Sequence, residues 1–339
     1  MRLPADAVYR LRAAYQGRRV LITGGAGFIG SHLADALLDL GAHVVVIDDL
    51  SNSSLENLSE RLELEPERLT FSHASILEPA ALREAVAGVG VVFHLAAVGS
   101  VQRSVEDPER TLAVNVIGTA RVLEAVRSAG VARCVLASSS SVYGDSATLP
   151  ANERAAPAPL SPYAASKLSG EALSAAWART YDLSTVALRY FNVFGPRQPG
   201  DSAYSAVIAS FARTLLEGDA PTVFGDGEQT RDFTPVASVV LGTLLAGATE
   251  HSLRGEVINV AMGHRVSVNQ LAASLAATLG RVGVAPSHTD PRPGEVRDSQ
   301  ADIALARELL GFQPVGSFDE ALAETAEWYR RAHAAAEPR

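Results

Sequence analysis

From Val20 to Tyr190 the chain alternates short apolar runs with longer amphipathic stretches. Val20-Leu21-Ile22, His43 to Ile47, Leu69 to Ser72, Val91 to Leu95 and Arg133 to Ala137 read as strands, the first of them buried. Between them Ser31 to Leu40, Ala80 to Ala87, Ala113 to Ser128 and Tyr163 to Arg179 carry helical spacing. Strands regularly separated by helices predict an α/β fold with a doubly wound parallel sheet, whose ligands lie at the carboxyl ends of the strands. Those ends carry Ala96-Ala97, Ser138 to Ser141 and Tyr190-Phe191-Asn192.

Outside this rhythm, Val8, Leu11 and Tyr15 share one helical face, which predicts a docked leader helix ending at Gly17. After Gly195 the pattern breaks into an irregular segment (Pro196, Pro199, Gly200, Asp201), a helix from Ala206 to Glu217 and a glycine turn within Val223 to Phe233. An apolar strand, Val257 to Val260, is expected to return to the main sheet, followed by a helix from Val268 to Leu279, a rigid charged segment from Asp290 to Arg297, and a helical tail with Trp328 and Tyr329. The division expected is a dinucleotide domain of residues 1–192, with 234–262 added, and a smaller discontinuous domain of residues 193–233 and 263–339.

Size and composition narrow the function. With 339 residues, 47% hydrophobic and 20% charged, the chain buries a large core and reads as soluble. It has neither an apolar run that spans a bilayer nor a signal-peptide layout, so a cytoplasmic location and no membrane partner are expected. The net charge of -9 is spread along the chain and argues against a nucleic-acid surface. Cys134 is the single cysteine, within the apolar run Ala132 to Ala137, which leaves no intrachain disulfide or cysteine metal cluster; no metal is expected.

Three motifs carry chemistry. Thr23-Gly24-Gly25-Ala26-Gly27-Phe28-Ile29-Gly30 runs directly from the first strand into a helix, and its glycines let backbone N–H groups approach a pyrophosphate that the helix N-terminus also favours. Asp48 ends the second strand eighteen residues after Gly30, where it is placed to accept hydrogen bonds from both ribose hydroxyls and to repel a 2′-phosphate. A Rossmann-type sheet binding NAD rather than NADP follows. Lys167 is the only lysine among 29 basic residues, and it follows Tyr163 by one helical turn, so ammonium and phenol share a face. That pairing is expected to lower the phenol pKa and make Tyr163 a base, beside a proton-handling hydroxyl from Ser138 to Ser141.

Taken together, TGGAGFIG (Thr23 to Gly30), Asp48-Asp49-Leu50-Ser51, HLAA (His94 to Ala97), SVEDP (Ser104 to Pro108), NVIGT (Asn115 to Thr119), SSSSVYG (Ser138 to Gly144), SPYAASK (Ser161 to Lys167), RYFNVFGPRQ (Arg189 to Gln198), GDGEQTRDF (Gly225 to Phe233) and RPGEVRDSQAD (Arg292 to Asp302) resemble the extended short-chain dehydrogenase/reductases. Within them the chain is similar to the nucleotide-sugar 4-epimerases, over nearly everything from Gly17 to about residue 330. The resemblance implies NAD as a cofactor that is regenerated, and a UDP-sugar as substrate. Tyr163 would be the base, Ser139 its hydroxyl partner and Lys167 the holder of the nicotinamide ribose. It implies a cofactor site of Gly24, Gly27, Phe28, Ile29, Gly30, Asp48, Asp49, Ser51, Asn52, Ser75, Ile76, Leu95, Ala96, Ala97, Asn115, Ser138 and Tyr190, with Tyr163 and Lys167. The implied substrate site holds Gly99, Ser100, Ser140, Gln198, Ala206 and Val207, with Asn192, Arg231 and Arg292 on the diphosphate, Glu295 near the uridine ribose and Ser299 in the sugar wall. A homodimer through helices spanning Glu106 to Ser128 and Tyr163 to Arg179 is implied as well.

By the same resemblance, Ser299 and Gly99 replace a bulky Tyr and a Lys and open the sugar pocket. UDP-GlcNAc/UDP-GalNAc is therefore the expected pair, with UDP-Glc/UDP-Gal weaker; UDP-glucuronate 4-epimerisation, 5-epimerisation and decarboxylation stay open. Ser75 stands where relatives often have an adenine-contacting Asp, and Ala237-Ser238 where an acidic pair is common. Ser140-Ser141 lack the carboxylates a 4,6-dehydratase needs after its catalytic hydroxyl. A non-catalytic NAD-binding module is disfavoured because Tyr163 and Lys167 are both present.

Overall fold

The computed structural model describes residues 3–145, 148–199, 207–291 and 296–336. Its centre is a seven-stranded sheet of β1 (Arg19–Thr23), β2 (His43–Asp48), β3 (Leu69–His73), β4 (Val91–His94), β5 (Arg133–Ser139), β6 (Thr185–Tyr190) and β7 (Arg254–Val260). Every pairing is parallel, in the order β7-β6-β5-β4-β1-β2-β3. The strand expected at Val257 to Val260 therefore does return to the sheet, at its edge beside β6.

Alternate residues of each strand feed opposite cores, and both cores are apolar, hence the near-continuous hydrophobic runs. Val20, Ile22, Val44 and Val46 face Leu33 and Leu37 of the helix Phe28–Asp39 and Val239 and Leu244 of the helix Val236–Ala248. Leu21, Val45 and Ile47 face Val122, Leu123 and Val126 of the helix Thr119–Ser128. The leader forms the helix Ala5–Tyr15, pinned where the buried Tyr15 hydroxyl donates to the Leu244 carbonyl at 2.6 Å. Periodicity did not predict Val236–Ala248: all its residues but Ala237 and Ala248 are buried, so no polar stripe marks it.

The helix expected over Ala113 to Ser128 opens instead with a π-helical turn, Ala113–Gly118. Such wide turns recur at functional sites. A further apolar cluster gathers Phe194, Phe211, Phe233, Leu271, Leu275, Leu322 and Tyr329 under the helices Val207–Glu217, Val268–Thr278 and Phe318–Ala336. Asp232 ties this region to the sheet, because its fully buried carboxylate accepts backbone N–H bonds from Met262, Gly263 and Ala301 at 3.0 to 3.1 Å.

Candidate active site

Sheet order places β1 between β4 and β2, so the loops leaving these three strands converge at the topological switch point. The glycine turn is built for close backbone contact. Gly24 has φ +73°, and a Cβ there would sit 2.7 Å from the Ala96 nitrogen; a Cβ on Gly30 would lie 2.2 Å from the Gly24 carbonyl oxygen. Above it lies a cavity of about 700 Å³. Gly24, Gly27, Phe28, Ile29, Gly30, Asp48, Asp49, Ser51, Asn52, Ile76, Leu95, Ala96, Ala97, Ser138, Tyr163, Lys167 and Tyr190 line it, as do Gly99, Ser100 and Gln198 from the substrate set.

Two residues of the expected cofactor set lie outside that lining. Ser75 instead caps the turn before the helix Pro79–Ala85, its amide donating to Glu78 Oε1 at 2.9 Å and its hydroxyl accepting from the Leu77 amide. Asn115 stands behind the wall and clasps Val98, accepting from its amide at 2.8 Å and donating to its carbonyl at 3.2 Å.

The cleft fits a dinucleotide: a tight glycine turn for the pyrophosphate, an acid at the end of β2 for the ribose, and apolar walls from Phe28, Ile29 and Ile76. Asp48 has less spare capacity than a grip on both ribose hydroxyls requires. It already accepts from the Ala26 amide at 3.0 Å, the Leu50 amide at 2.9 Å and the Ser53 hydroxyl at 2.8 Å, leaving about one of roughly four acceptor positions.

The helix Pro162–Tyr181 begins with Ser161 accepting from the Ala164 amide at 3.1 Å, with Pro162 in the first turn. Tyr163, Lys167 and Glu171 then fall on one face at successive turns. Lys167 Nζ lies 5.8 Å from the centre of the Tyr163 ring and donates to the Ala137 carbonyl at 2.9 Å.

Here the structure corrects the expectation that Lys167 lowers the phenol. Burial pushes Tyr163 above its ordinary value, and the opposing pull is its hydrogen bond with Ser139, not the ammonium. Lys167 pays its own burial cost: desolvation lowers it to about 8, and the Glu171 carboxylate draws it back up. Glu171 in turn accepts from the Ser138 hydroxyl at 2.5 Å and both prongs of the buried Arg189 guanidinium, at 2.9 and 2.7 Å.

Ser139 thus meets the Tyr163 hydroxyl without lining the cavity, and Ser140 lies beyond it in a short 3₁₀ turn. On the substrate side, Asn192 holds φ +29° and donates to Ser299 Oγ at 3.3 Å, bringing those two together. Val207 opens its helix away from the cavity lining. Arg231, expected on the diphosphate, is half-buried, and its guanidinium donates to the carbonyls of Thr230 and Arg297 at 2.9 and 2.7 Å. Ala206, Arg292 and Glu295 lie outside the described residues.

Gln198 is 8% exposed, its Nε2 donates to the Val193 carbonyl at 2.9 Å, and its Oε1, without accessible surface, has no partner among the described residues. Flipping the amide would set oxygen against the Val193 carbonyl, so the bare group is the acceptor.

Several lining residues had escaped the sequence reading, among them Val98, Arg103, Arg110 and Thr111, and so had Glu171 behind the wall. Arg103 lines the cavity and donates to Asn52 Oδ1 at 2.6 Å, joining the loop after β2 to the helix Val101–Glu106 over the glycine turn; nothing local marks that contact. Glu171 had a signal, one turn after Lys167 on the face that already held Tyr163.

The family model for the NAD dependent epimerase/dehydratase family matches residues 20–261. A UDP-glucose 4-epimerase of Mycolicibacterium smegmatis is 40% identical over 315 residues, 92% of this chain and 98% of that protein. Among solved structures, a UDP-N-acetylglucosamine 4-epimerase of Methanobrevibacter ruminantium in complex with UDP-N-acetylmuramic acid matches with TM-score 0.88 and 37% identity, over 94% of this chain and 99% of that one. A Bacillus cereus UDP-glucuronic acid 4-epimerase variant, holding NAD and UDP-4-deoxy-4-fluoro-glucuronic acid, matches with TM-score 0.85 and 33% identity over 93% and 99% of the two chains. The glycine turn, the acid at the end of β2, the Tyr163/Lys167 helix and these matches lead to one conclusion: the chain belongs to the NAD-dependent epimerase/dehydratase family.

Proposed function

We propose that this protein inverts C4 of a UDP-hexose through a transient 4-keto sugar, interconverting UDP-GlcNAc and UDP-GalNAc and acting more weakly on UDP-Glc and UDP-Gal. The single observation that carries the N-acetyl reading is the room at Gly99, which lines the cavity and where a Cβ would meet nothing within 4 Å.

Tyr163, as phenolate, takes the proton of the sugar 4-hydroxyl, and Ser139 stabilises that oxygen. Bound NAD supplies a hydride acceptor whose positive charge would lower the phenol where Lys167 alone does not. Lys167 holds its charge beside the cofactor ribose, and Tyr163 returns the proton after the 4-keto sugar has turned over. Asn192, Arg231 and Arg292 hold the diphosphate, Glu295 the uridine ribose, and residues 193–233 with 263–339 shape the sugar side.

The test incubates the protein with UDP-GlcNAc, UDP-Glc and UDP-glucuronate in turn and identifies products by NMR, with Tyr163→Phe as control. Conversion of UDP-GlcNAc faster than the others, abolished in Tyr163→Phe with NAD still bound, is expected. Conversion of UDP-glucuronate alone would sink the reading.

The protein is also proposed to pair with a second copy. Val101, Val105, Leu112 and Ile117 are 43 to 64% exposed along the segment preceding and entering the helix Thr119–Ser128, an apolar row that a second copy would cover.

A further inference from the structure

A line of buried polar groups with no role so far runs from the cofactor wall to the catalytic helix. The Ala96 amide donates to Thr23 Oγ1 at 3.2 Å, and Thr23 Oγ1 lies 2.7 Å from His94 Nδ1. On the far side of the ring, His94 Nε2 lies 2.9 Å from Thr119 Oγ1, which itself is 2.6 Å from the Asn115 carbonyl. The Asn115 side chain continues the line, donating to Ser166 Oγ at 2.9 Å, and Ser166 Oγ donates to the Tyr163 carbonyl at 2.7 Å. All five side chains are at most 5% exposed.

Proton counting gives the line a direction. A carbonyl only accepts, so Thr119 spends its single proton on Asn115 and must accept from His94 Nε2–H. The neutral ring then offers Nδ1 as acceptor, which the Thr23 hydroxyl fills while its oxygen takes the Ala96 amide. Only one tautomer satisfies every partner. Burial and the nearby Lys167 charge push His94 down to about 3, so the ring stays neutral across the working range.

We propose that His94, as the Nε2–H tautomer, and Thr119 are positioning residues that set the start of the catalytic helix, and with it the Tyr163 hydroxyl, against the cofactor cleft. The π-helical turn Ala113–Gly118 is where the line changes element, passing from the backbone carbonyl of Asn115 to its side chain. The inference rests on Tyr163 being the base. It predicts a defect in the chemical step rather than in binding, because both ends of the line reach the site and its middle touches neither ligand.

The test compares Thr119→Val, which keeps the shape and removes the hydroxyl, with Thr119→Ser, which restores it. Thr119→Val should lower kcat by about tenfold with KM and bound NAD unchanged, and raise the isotope effect with sugar deuterated at C4; Thr119→Ser should stay within about threefold of the native protein. A Thr119→Val kcat within about twofold of native, or equal losses in both variants, would overturn it. If Thr119→Val does not fold, Ser166→Ala cuts the line nearer Tyr163 and should show the same kcat defect; normal turnover there also overturns it. Should the native protein convert no UDP-hexose, the functional reading falls, and the line is judged by hydrogen–deuterium exchange over residues 161–171. Faster exchange in the Val or Ala variant supports it, and unchanged exchange ends it.

Discussion

Lys167 holds its charge at neutral pH by a small margin. Burial brings it to about 8, and the Glu171 carboxylate is what opposes a further fall. A mechanism that needs the ammonium therefore loses activity as pH rises through about 8. Removing the anion makes the cation easier to deprotonate, so Glu171→Gln should move the basic limb of the kcat/KM profile to lower pH. It should also cost about 3 kcal/mol of stability, since Arg189 keeps its buried charge without its partner. Profiles measured on both proteins check this, and an unmoved limb would detach Glu171 from Lys167. Of the residue-scale chemistry, the Tyr163/Lys167 pair was legible because four-residue spacing places side chains on one helix face whatever surrounds them. The direction of the phenol shift was not, because it depends on how much water the fold removes and on which carbonyl the ammonium meets.

At the scale of elements, the strands and most helices followed from apolar spacing, and the exceptions have physical causes. Val236–Ala248 hid because it is buried on nearly every side. The π-helical turn Ala113–Gly118 hid because one wider turn leaves the helical period of its neighbours almost unchanged. The contact that joins elements through Asp232 also lay beyond local reading. Burial raises this carboxyl to about 7 although three backbone N–H groups favour its charge. A carboxyl whose folded pKa is raised stabilises the fold below its unfolded pKa of about 4, and that contribution fades as pH climbs through about 7. Stability of the native protein should therefore fall between about pH 4 and 7 by a component that Asp232→Asn lacks. Urea midpoints at pH 5 and 7.5 measure it; equal pH dependence in both proteins would reject the account.

Over the whole molecule, two apolar cores flank the sheet and a third gathers under the C-terminal helices, with the cavity where the loops of β1, β2 and β4 meet. No helix among the described residues is long and apolar enough to cross a membrane. The exposed row at Val101, Val105, Leu112 and Ile117 belongs to this scale. Light scattering should give about twice 35.6 kDa, and Val105→Glu should return the mass to one chain by burying a charge in an apolar contact. A native mass of one chain would end the pairing proposal.

The amino-acid sequence by itself determined the strand–helix alternation, the glycine turn before its helix, the acid closing β2 and the helix face of Tyr163 and Lys167. Each rests on distances of a few residues along one backbone, where periodicity and steric rules act alone. Only the tertiary structure decided that burial outweighs the Ser139 hydrogen bond at the phenol, that Asn115 stands behind the cofactor wall and that His94 has one tautomer. Those depend on dehydration and on partners up to 73 positions away, which no local pattern encodes.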